Sequence, residues 1–355
     1  MAGQVFLAGL AAEHAILQAI LGDHIAEPAQ ALGLMLVGAE AGPWPIATLQ
    51  QGAGVDGVRL SLSAAQHNRL DFALRALAMT PAFLPDGQTA TYLGQGRGAV
   101  TGTSADVLGV VLAYFEDILA LEGQVAPAHL ARRLSPSLVR AASRLRARAV
   151  APTALRRATA AGDIVQHARR LPYAQFFAVE EYDLAWRKFD GNVSAPVTRA
   201  AFISGDAVTV LPYDPERDLV LVVEQIRAGP MARGDGQCWQ IEAIAGRVDP
   251  FETPQAAARR EALEEAGLTL TDLISVAQYY PSPGAKTEFL YSYVALTSLP
   301  DACAGVFGLA EEAEDIRGHL ISFDQLMALV ASGEVANAPL ILTALWLQRE
   351  RARLR

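Results

Sequence analysis

Cysteine is almost missing from this 355-residue sequence, which has only Cys238 and Cys303. Two such residues make neither a disulfide framework nor a metal-ligand spacing, and they fit a chain that works in a reducing cytoplasm. The six histidines are scattered, so no second His or Cys stands at metal spacing from any of them. His319, inside Ile316-Arg-Gly-His-Leu-Ile321, therefore reads as a strand residue rather than a ligand. Long apolar runs are lacking too. The stretch 107–115, interrupted at Gly109, falls well short of the roughly 20 residues a membrane-spanning helix needs. The apolar residues 5–12 have no Lys or Arg ahead of them and are followed at once by Glu13 and His14, which argues against a signal peptide. Positive charge is not in excess, since the formal net charge is −9, and that sign disfavours a general nucleic-acid binder.

What the sequence does have is apolar residues, 52% of the total, enough to bury two cores, and a length that favours two domains. Its most informative stretch is 246–268. Thr253 can cap a helix with its hydroxyl, Pro254 suits a first helical position where no amide donor is needed, and Gly267 can take the left-handed conformation that ends it. Ala258, Ala262 and Ala266 recur every fourth residue, a small-residue stripe that lets the helix lie close on a sheet. Glu261, Glu264 and Glu265 stand at i, i+3 and i+4, so their carboxylates project side by side. Stacked like charges repel by roughly 0.2–0.5 kcal/mol per pair. A hard divalent cation with oxygen ligands would compensate them; Arg259 and Arg260 on a solvated helix face would be the plain alternative.

The spacing decides between these. From Gly246 the stretch runs Gly, five residues, Glu252, seven residues, then Arg260-Glu261-Ala262-x-Glu264-Glu265-x-Gly267-Leu268. Every fixed position of the Nudix box is filled, and the chain resembles a Nudix hydrolase. The resemblance implies a mixed sheet between helices and hydrolysis of a nucleoside diphosphate linked to another group, with Mg2+ or Mn2+.

Around the box the reading alternates strands and turns: strands near 208–211, 219–226, 239–245, 276–280, 290–296 and 316–323, and closing helices over 323–331 and 341–351. Glu224-Gln-Ile-Arg227, Trp239-Gln-Ile-Glu242 with Ala245-Gly246, Pro281-Ser-Pro283-Gly284 with Glu288, and 308–317 with Glu312 and Glu314 resemble the bacterial ADP-ribose pyrophosphatases within the family. By that resemblance the Ala245 carbonyl, Glu261, Glu265 and Glu314 hold metal, Glu264 shares a second ion, and Glu312 orients or deprotonates the attacking water. Arg227 meets the diphosphate or terminal ribose and Arg199 the adenosine end, with Glu242, Pro283, Gly284 and Glu288 also on the substrate. Glu252 and Arg260 are expected to pair structurally. The same branch implies a homodimer in which strands ahead of the box exchange between subunits.

The first 125 residues read as a strand at 5–9, a helix through Ile16 and Leu21, strand pieces at 34–37 and 58–62, a helix over 64–78 and a hairpin around Asp86-Gly87. That order, with Arg69-Leu70-Asp71, resembles the gamma-glutamylcyclotransferase-like fold. The chain departs from it where chemistry would reside. Ala8-Gly9-Leu10 replaces the family's Tyr-Gly-Ser/Thr-Leu loop, and Phe72, Ala73 and Leu74 stand where its catalytic Glu is expected. A degenerate domain without cyclotransferase turnover follows. Bacterial proteins that join these two domain types are linked with tellurite resistance, an association silent on mechanism.

Between the halves, 126–171 reads as a basic helical connector that could bind a phosphate-rich partner but is expected instead to pack on an acidic face. The expected architecture is thus of the α/β (α+β) class: a smaller cyclotransferase-like mixed α/β barrel over 1–125, the connector, and a Nudix α/β/α sandwich with a mixed sheet over 172–355. The function expected is Mg2+-dependent hydrolysis of ADP-ribose or a related ADP-sugar to AMP and a sugar phosphate. A non-catalytic ADP-ribose sensor is the alternative; it would be expected to have lost acids from its box, and Glu261, Glu264 and Glu265 all remain. No nucleic-acid or membrane partner is expected.

Overall fold

Val5, Phe6 and Leu7, all essentially inaccessible to solvent, form the middle of strand β1 (Gly3–Ala8), around which the N-terminal unit is built. The computed structural model describes residues 3–97, 102–149, 151–309 and 313–355. They divide into one unit of Met1–Asp163 with Ala174–Phe177 and a second of Ile164–Tyr173 with Ala178–Arg355. In the first, β1 is followed by helix α1 (His14–Leu21), a long hairpin of β2 (Ala26–Ala39) and β3 (Gly42–Leu62), helix α2 (Ala64–Ala76), and a short hairpin of β4 (Thr80–Phe83) and β5 (Ala90–Leu93). Helices α3 (Ala105–Leu119), α4 (Pro127–Arg132) and α5 (Leu134–Arg146) complete it. Strand β1 runs antiparallel to β3 and parallel to β5, in the order β2-β3-β1-β5-β4.

The expected barrel is an open sheet instead. β4 has only four residues and pairs with β5, so β2 and β4 remain edges among the described residues. Helix α2 starts where its sequence says it should: Ser63 caps it and Gln66 returns the bond to complete a capping box. The positions after Asp71 that lack an acid are core: Phe72, Ala73 and Leu74 are buried. Asp71 itself accepts from Tyr92 Oη at 3.0 Å and from Arg75. Gly9 has φ +62°, and a Cβ there would lie 2.6 Å from the Pro45 carbonyl oxygen, so the loop after β1 is packed against β3.

The basic stretch is internally paired. Arg140 and Arg144 both reach Asp117, at 3.1 and 2.6 Å, Arg148 reaches Glu116 and Arg157 reaches Asp163. Its last part is not helical. Residues Ile164–Ala174 form strand β6, which joins β7 (Ala178–Trp186) and β8 (Val197–Ile203) in a three-stranded sheet. Arg169 pairs with Glu180, and Arg170 with Glu181 and Asp183, so an acidic neighbouring strand, in place of a face packed by a helix, neutralises these charges.

The rest of the second unit is one mixed sheet between helices. It contains β9 (Ala207–Asp214), β10 (Leu219–Ile226), helix α6 (Ala228–Arg233), β11 (Trp239–Glu242), β12 (Ile244–Arg247), helix α7 (Pro254–Ala266), β13 (Asp272–Tyr279), β14 (Leu290–Leu296), β15 (Val306–Phe307), β16 (Ile316–Ser322) and helices α8 (Phe323–Ser332) and α9 (Ala338–Leu354). The order is β13-β14-β9-β10-β16-β15, with β14 and β9 parallel. Strand alternation sorts the core into two layers. Leu221 and Val223 of β10 pack with Ala257, Ala258, Ala262 and Ala266 of α7, whereas Val220 and Val222 pack with Phe323, Leu340, Ala344 and Leu347 of α8 and α9.

One departure from a regular sheet positions the site. β9 and β10 pair only at Leu219↔Asp214 and Val220↔Tyr213. Beyond that point they diverge, β11 pairing with β10 and β12 with β9. Glu242 and Ala245 sit in this fork. No helix among the described residues is long and apolar enough to cross a membrane.

Candidate active site

Helix α7 is set by its ends. Thr253 accepts the Ala256 N–H at 3.2 Å, Pro254 opens the helix, and Gly267 closes it at φ 63°. The alanine stripe predicted to allow close approach is fully buried against the sheet. The helix therefore lies low on β12, and the carboxylates of its first and last box acids are pressed against that strand. A Cβ on Gly246 would meet Glu261 Oε1 at 1.8 Å. Glu265, only 2% exposed, accepts the Ala245 N–H at 3.2 Å.

Burial dominates the electrostatics here. It pushes the Glu265 carboxyl up to about 8; the Ala245 N–H opposes that rise, and Glu261 and Glu314 add to it. Burial likewise pushes Glu261 up to about 7, against the pull of Arg260 and with added repulsion from Glu264 and Glu314. Arg260 is the local cation. It contacts Glu261 at 2.7 Å, Glu264 at 3.0 Å and Glu252 at 2.7 Å, and donates to the Arg247 carbonyl at 2.9 Å. The expected Glu252–Arg260 pair is present, and it ties the turn after β12 to the helix. Glu252 also accepts the Asp249 N–H.

Of the four residues expected to hold metal, Ala245, Glu261 and Glu265 are together. Glu314 lies close enough to raise the pKa of both acids, but its Oε2 accepts the Leu309 N–H at 3.1 Å within its own loop. Among the described residues no group of three or more His, Cys, Asp or Glu side chains is arranged to hold a metal ion. Glu312 lies outside the described residues.

The substrate-side residues are spread around this centre. Arg227, just after β10, directs Nε and Nη2 to Glu242 Oε2 at 2.9 and 2.6 Å. Burial opposes its charge, yet Glu242, with Glu265 and Glu314, holds its pKa above the ordinary value. Glu242 is 6% exposed, and its Oε1 accepts from Asn337 Nδ2 at 2.9 Å. Both its oxygens are thus engaged, which makes it a holder of Arg227. Pro283 and Gly284 are exposed in the turn after β13, closed by bonds from Ala285 and Lys286 to the Ser282 carbonyl. Glu288 follows, with Lys286 Nζ 3.9 Å away. Arg199 is exposed on β8; it donates to the Thr198 carbonyl and lies 5.9 Å over Trp186, joined to none of the carboxylates. His319 is indeed a strand residue, and its Nε2 lies 2.8 Å from Glu224.

Sequence reasoning missed Asn337. Only an Asn ahead of Pro339 at a helix start marked it, as a cap. It also gave no role to Gln225, which is buried beside Arg227 on the α7 side of β10 with no hydrogen-bond partner for Nε2 among the described residues.

Comparison with known proteins agrees with this geometry. The NUDIX domain model matches residues 204–342. The ADP-ribose pyrophosphatase of Escherichia coli strain K12 is 37% identical over 186 residues, 52% of this chain and 88% of that protein. The ADP-ribose pyrophosphatase of Haemophilus influenzae is 34% identical over 51% of this chain and 84% of its own length. The GDP-mannose pyrophosphatase of an Enterobacter species is 29% identical over 42% and 77%. With its box acids gathered on a helix that lies against the sheet, and with relatives aligned over nearly their full length, the chain belongs to the Nudix family.

Proposed function

We propose that the chain hydrolyses the diphosphate of ADP-ribose, or of a related ADP-sugar, to AMP and a sugar phosphate, with Mg2+ or Mn2+ as its ion. The observation that carries this reading is the placement of Glu265, buried and bonded to the Ala245 N–H, and Glu261, partly buried at Gly246, against one strand, with carboxyls raised to about 8 and about 7. Hard oxygen donors gathered against one strand, their charged forms disfavoured by burial, fit a divalent ion. The ADP-ribose pyrophosphatases among the relatives support the nucleoside, and the GDP-mannose pyrophosphatases support the wider class of nucleotide sugars.

Ala245 through its carbonyl, Glu261 and Glu265 would hold the ion, with Glu314 joining from its loop and Glu264 beside a second one. A bound ion supplies charge neutralisation at the diphosphate and a more acidic water. The chain's own groups do the rest. Glu312 takes the proton of the attacking water. Arg227, fixed by Glu242, grips the diphosphate or terminal ribose, as a planar guanidinium does well. Arg199 serves the adenosine end, and Glu288 with the Pro283-Gly284 turn bounds the pocket.

The test is a panel of ADP-ribose, other ADP-sugars and GDP-mannose with Mg2+ or Mn2+, with AMP and sugar phosphate measured as products. ADP-ribose should give the highest kcat/KM of the panel. Binding of ADP-ribose without turnover of any member would mean a sensor.

A homodimer fits this reading. Tyr173, Phe189 and Val193, in and beside the three-stranded sheet, are 53%, 96% and 54% exposed, apolar side chains that a second subunit would cover. Arg199, bonded to no carboxylate among the described residues, would then serve a partner's site. Sedimentation of an active enzyme as a monomer would sink the idea.

A further inference from the structure

Asn337 connects the C-terminal helix to the substrate side of the site. Its Oδ1 accepts the Leu340 N–H at 3.0 Å and caps α9. With the oxygen occupied there, the amide has a fixed sense, and Nδ2 must point the other way. It donates to Glu242 Oε1 at 2.9 Å across 95 residues of sequence. Glu242 in turn gives its other oxygen to both Nε and Nη2 of Arg227. No hydrogen bond among the described residues engages Nη1 of Arg227.

We propose that Asn337 is a positioning residue for Arg227, acting through Glu242. The inference rests on the reading of Arg227 as a ligand-gripping group. A half-exposed arginine on the last turn of a strand has many rotamers. Two bonds to one carboxylate oxygen select among them only if that carboxylate is itself fixed. Glu242 is buried and anionic, so its Oε1 would be left unpaired without the Asn337 donor, and the side chain would turn to find a partner. Arg227 would turn with it. Capping alone does not call for asparagine: Ser, Thr and Asp cap as well, yet none offers both an acceptor to the helix and a donor that reaches back.

Asn337→Ser separates the two roles, because serine keeps the capping oxygen and removes the amide N–H that reaches Glu242. Thermal stability should be nearly unchanged. KM for ADP-ribose with Mg2+ should rise roughly tenfold, the usual weight of one bond to a charged group, while kcat changes less than twofold, as for an interaction made equally in ground and transition states. Asn337→Asp, also a good cap, sets a second anion against Glu242 and should raise KM further. The same variants titrated with inorganic pyrophosphate and Mg2+ give a readout independent of turnover, with the same order of weakening. In the Arg227→Ala background the Asn337→Ser change should add nothing, since its route is gone.

An unchanged KM in Asn337→Ser, when Arg227→Ala does raise KM, overturns the positioning role alone. Effects of the two substitutions that simply add would do the same. If Arg227→Ala leaves both KM and pyrophosphate affinity unaltered, the reading of Arg227 fails, and the role of Asn337 with it.

Discussion

A methyl group on Gly246 would lie 1.8 Å from Oε1 and 2.5 Å from Oε2 of Glu261. The box glycine is thus required by a side chain, not by its own backbone angles: the Glu261 carboxylate rests directly on strand β12. Gly246→Ala should push that carboxylate away rather than disrupt the strand, because the far end of a glutamate yields easily. The expected outcome is a melting temperature within a few degrees of the parent chain and divalent-ion affinity weakened about tenfold or more, comparable with other losses around a metal site. Calorimetric titration together with a melting curve checks both halves.

The raised pKa values of Glu261 and Glu265, about 7 and about 8 against an ordinary 4.5, set a pH dependence. A carboxyl whose folded pKa lies above its unfolded value binds more protons when folded, so metal-free stability falls as pH rises from about 4.5 through about 8. Ion binding must displace those protons, so affinity should rise over the same window. Melting in EDTA at pH 5.5 and 8.5 should show the loss, and Mg2+ should raise the melting temperature more at pH 8.5. A flat profile in EDTA would mean that the two acids are solvated.

Glu265 and Glu312 are assigned different work although both are carboxylates. Glu265→Gln should weaken ion binding, because an amide offers neutral oxygen where a hard cation favours an anion. Glu312→Gln should leave ion affinity largely intact and slow kcat on the order of 100- to 10,000-fold, the range of general-base assistance. If Glu312→Gln turned over at a near-normal rate with saturating Mg2+, the base would have to be sought at Glu264 or Glu311.

Truncation tests the boundary. A fragment of residues 164–355 keeps all of β6 and should retain pyrophosphatase activity. One starting at residue 172 loses most of β6, with Arg169 and Arg170 and their cross-strand ion pairs to Glu180 and Asp183. Removing an edge strand and its pairing weakens the three-stranded sheet, so the shorter fragment should melt at a lower temperature. Equal activity and stability of the two would contradict this account. The N-terminal half should show no cyclotransferase turnover.

Much of this architecture was legible because it is locally encoded. The cap at Thr253, the proline at 254 and the glycine at 267 each act over three or four residues, and the runs Leu219–Ile226 and Leu290–Leu296 coincide with strands. Strand β6 was not legible. Arg169, Arg170 and Pro172 look like the end of a basic helical connector until Glu180, Glu181 and Asp183 are seen opposite them, and cross-strand pairing leaves no mark in a single strand's sequence. The long β2–β3 hairpin was seen only in pieces, because register shifts between Leu32 and Leu34 and between Gly38 and Ala39 break its alternation. In the site, the box acids were readable from spacing alone, whereas the tie from Asn337 to Glu242 spans 95 residues and exists only in three dimensions.

Arg260 carries one more implication. Bonded to Glu252, Glu261, Glu264 and the Arg247 carbonyl, it makes the acidic helix cohere with nothing but protein. In a zinc finger the ion is a rivet and its removal unfolds the chain; here the folded state already contains its own counter-charge. On the proposed reading a cation would take Glu261 and Glu264 from a guanidinium, so loading would be an exchange between two positive partners, and the affinity measured would be the difference between them. The ion would then come and go with the substrate while the scaffold stays assembled.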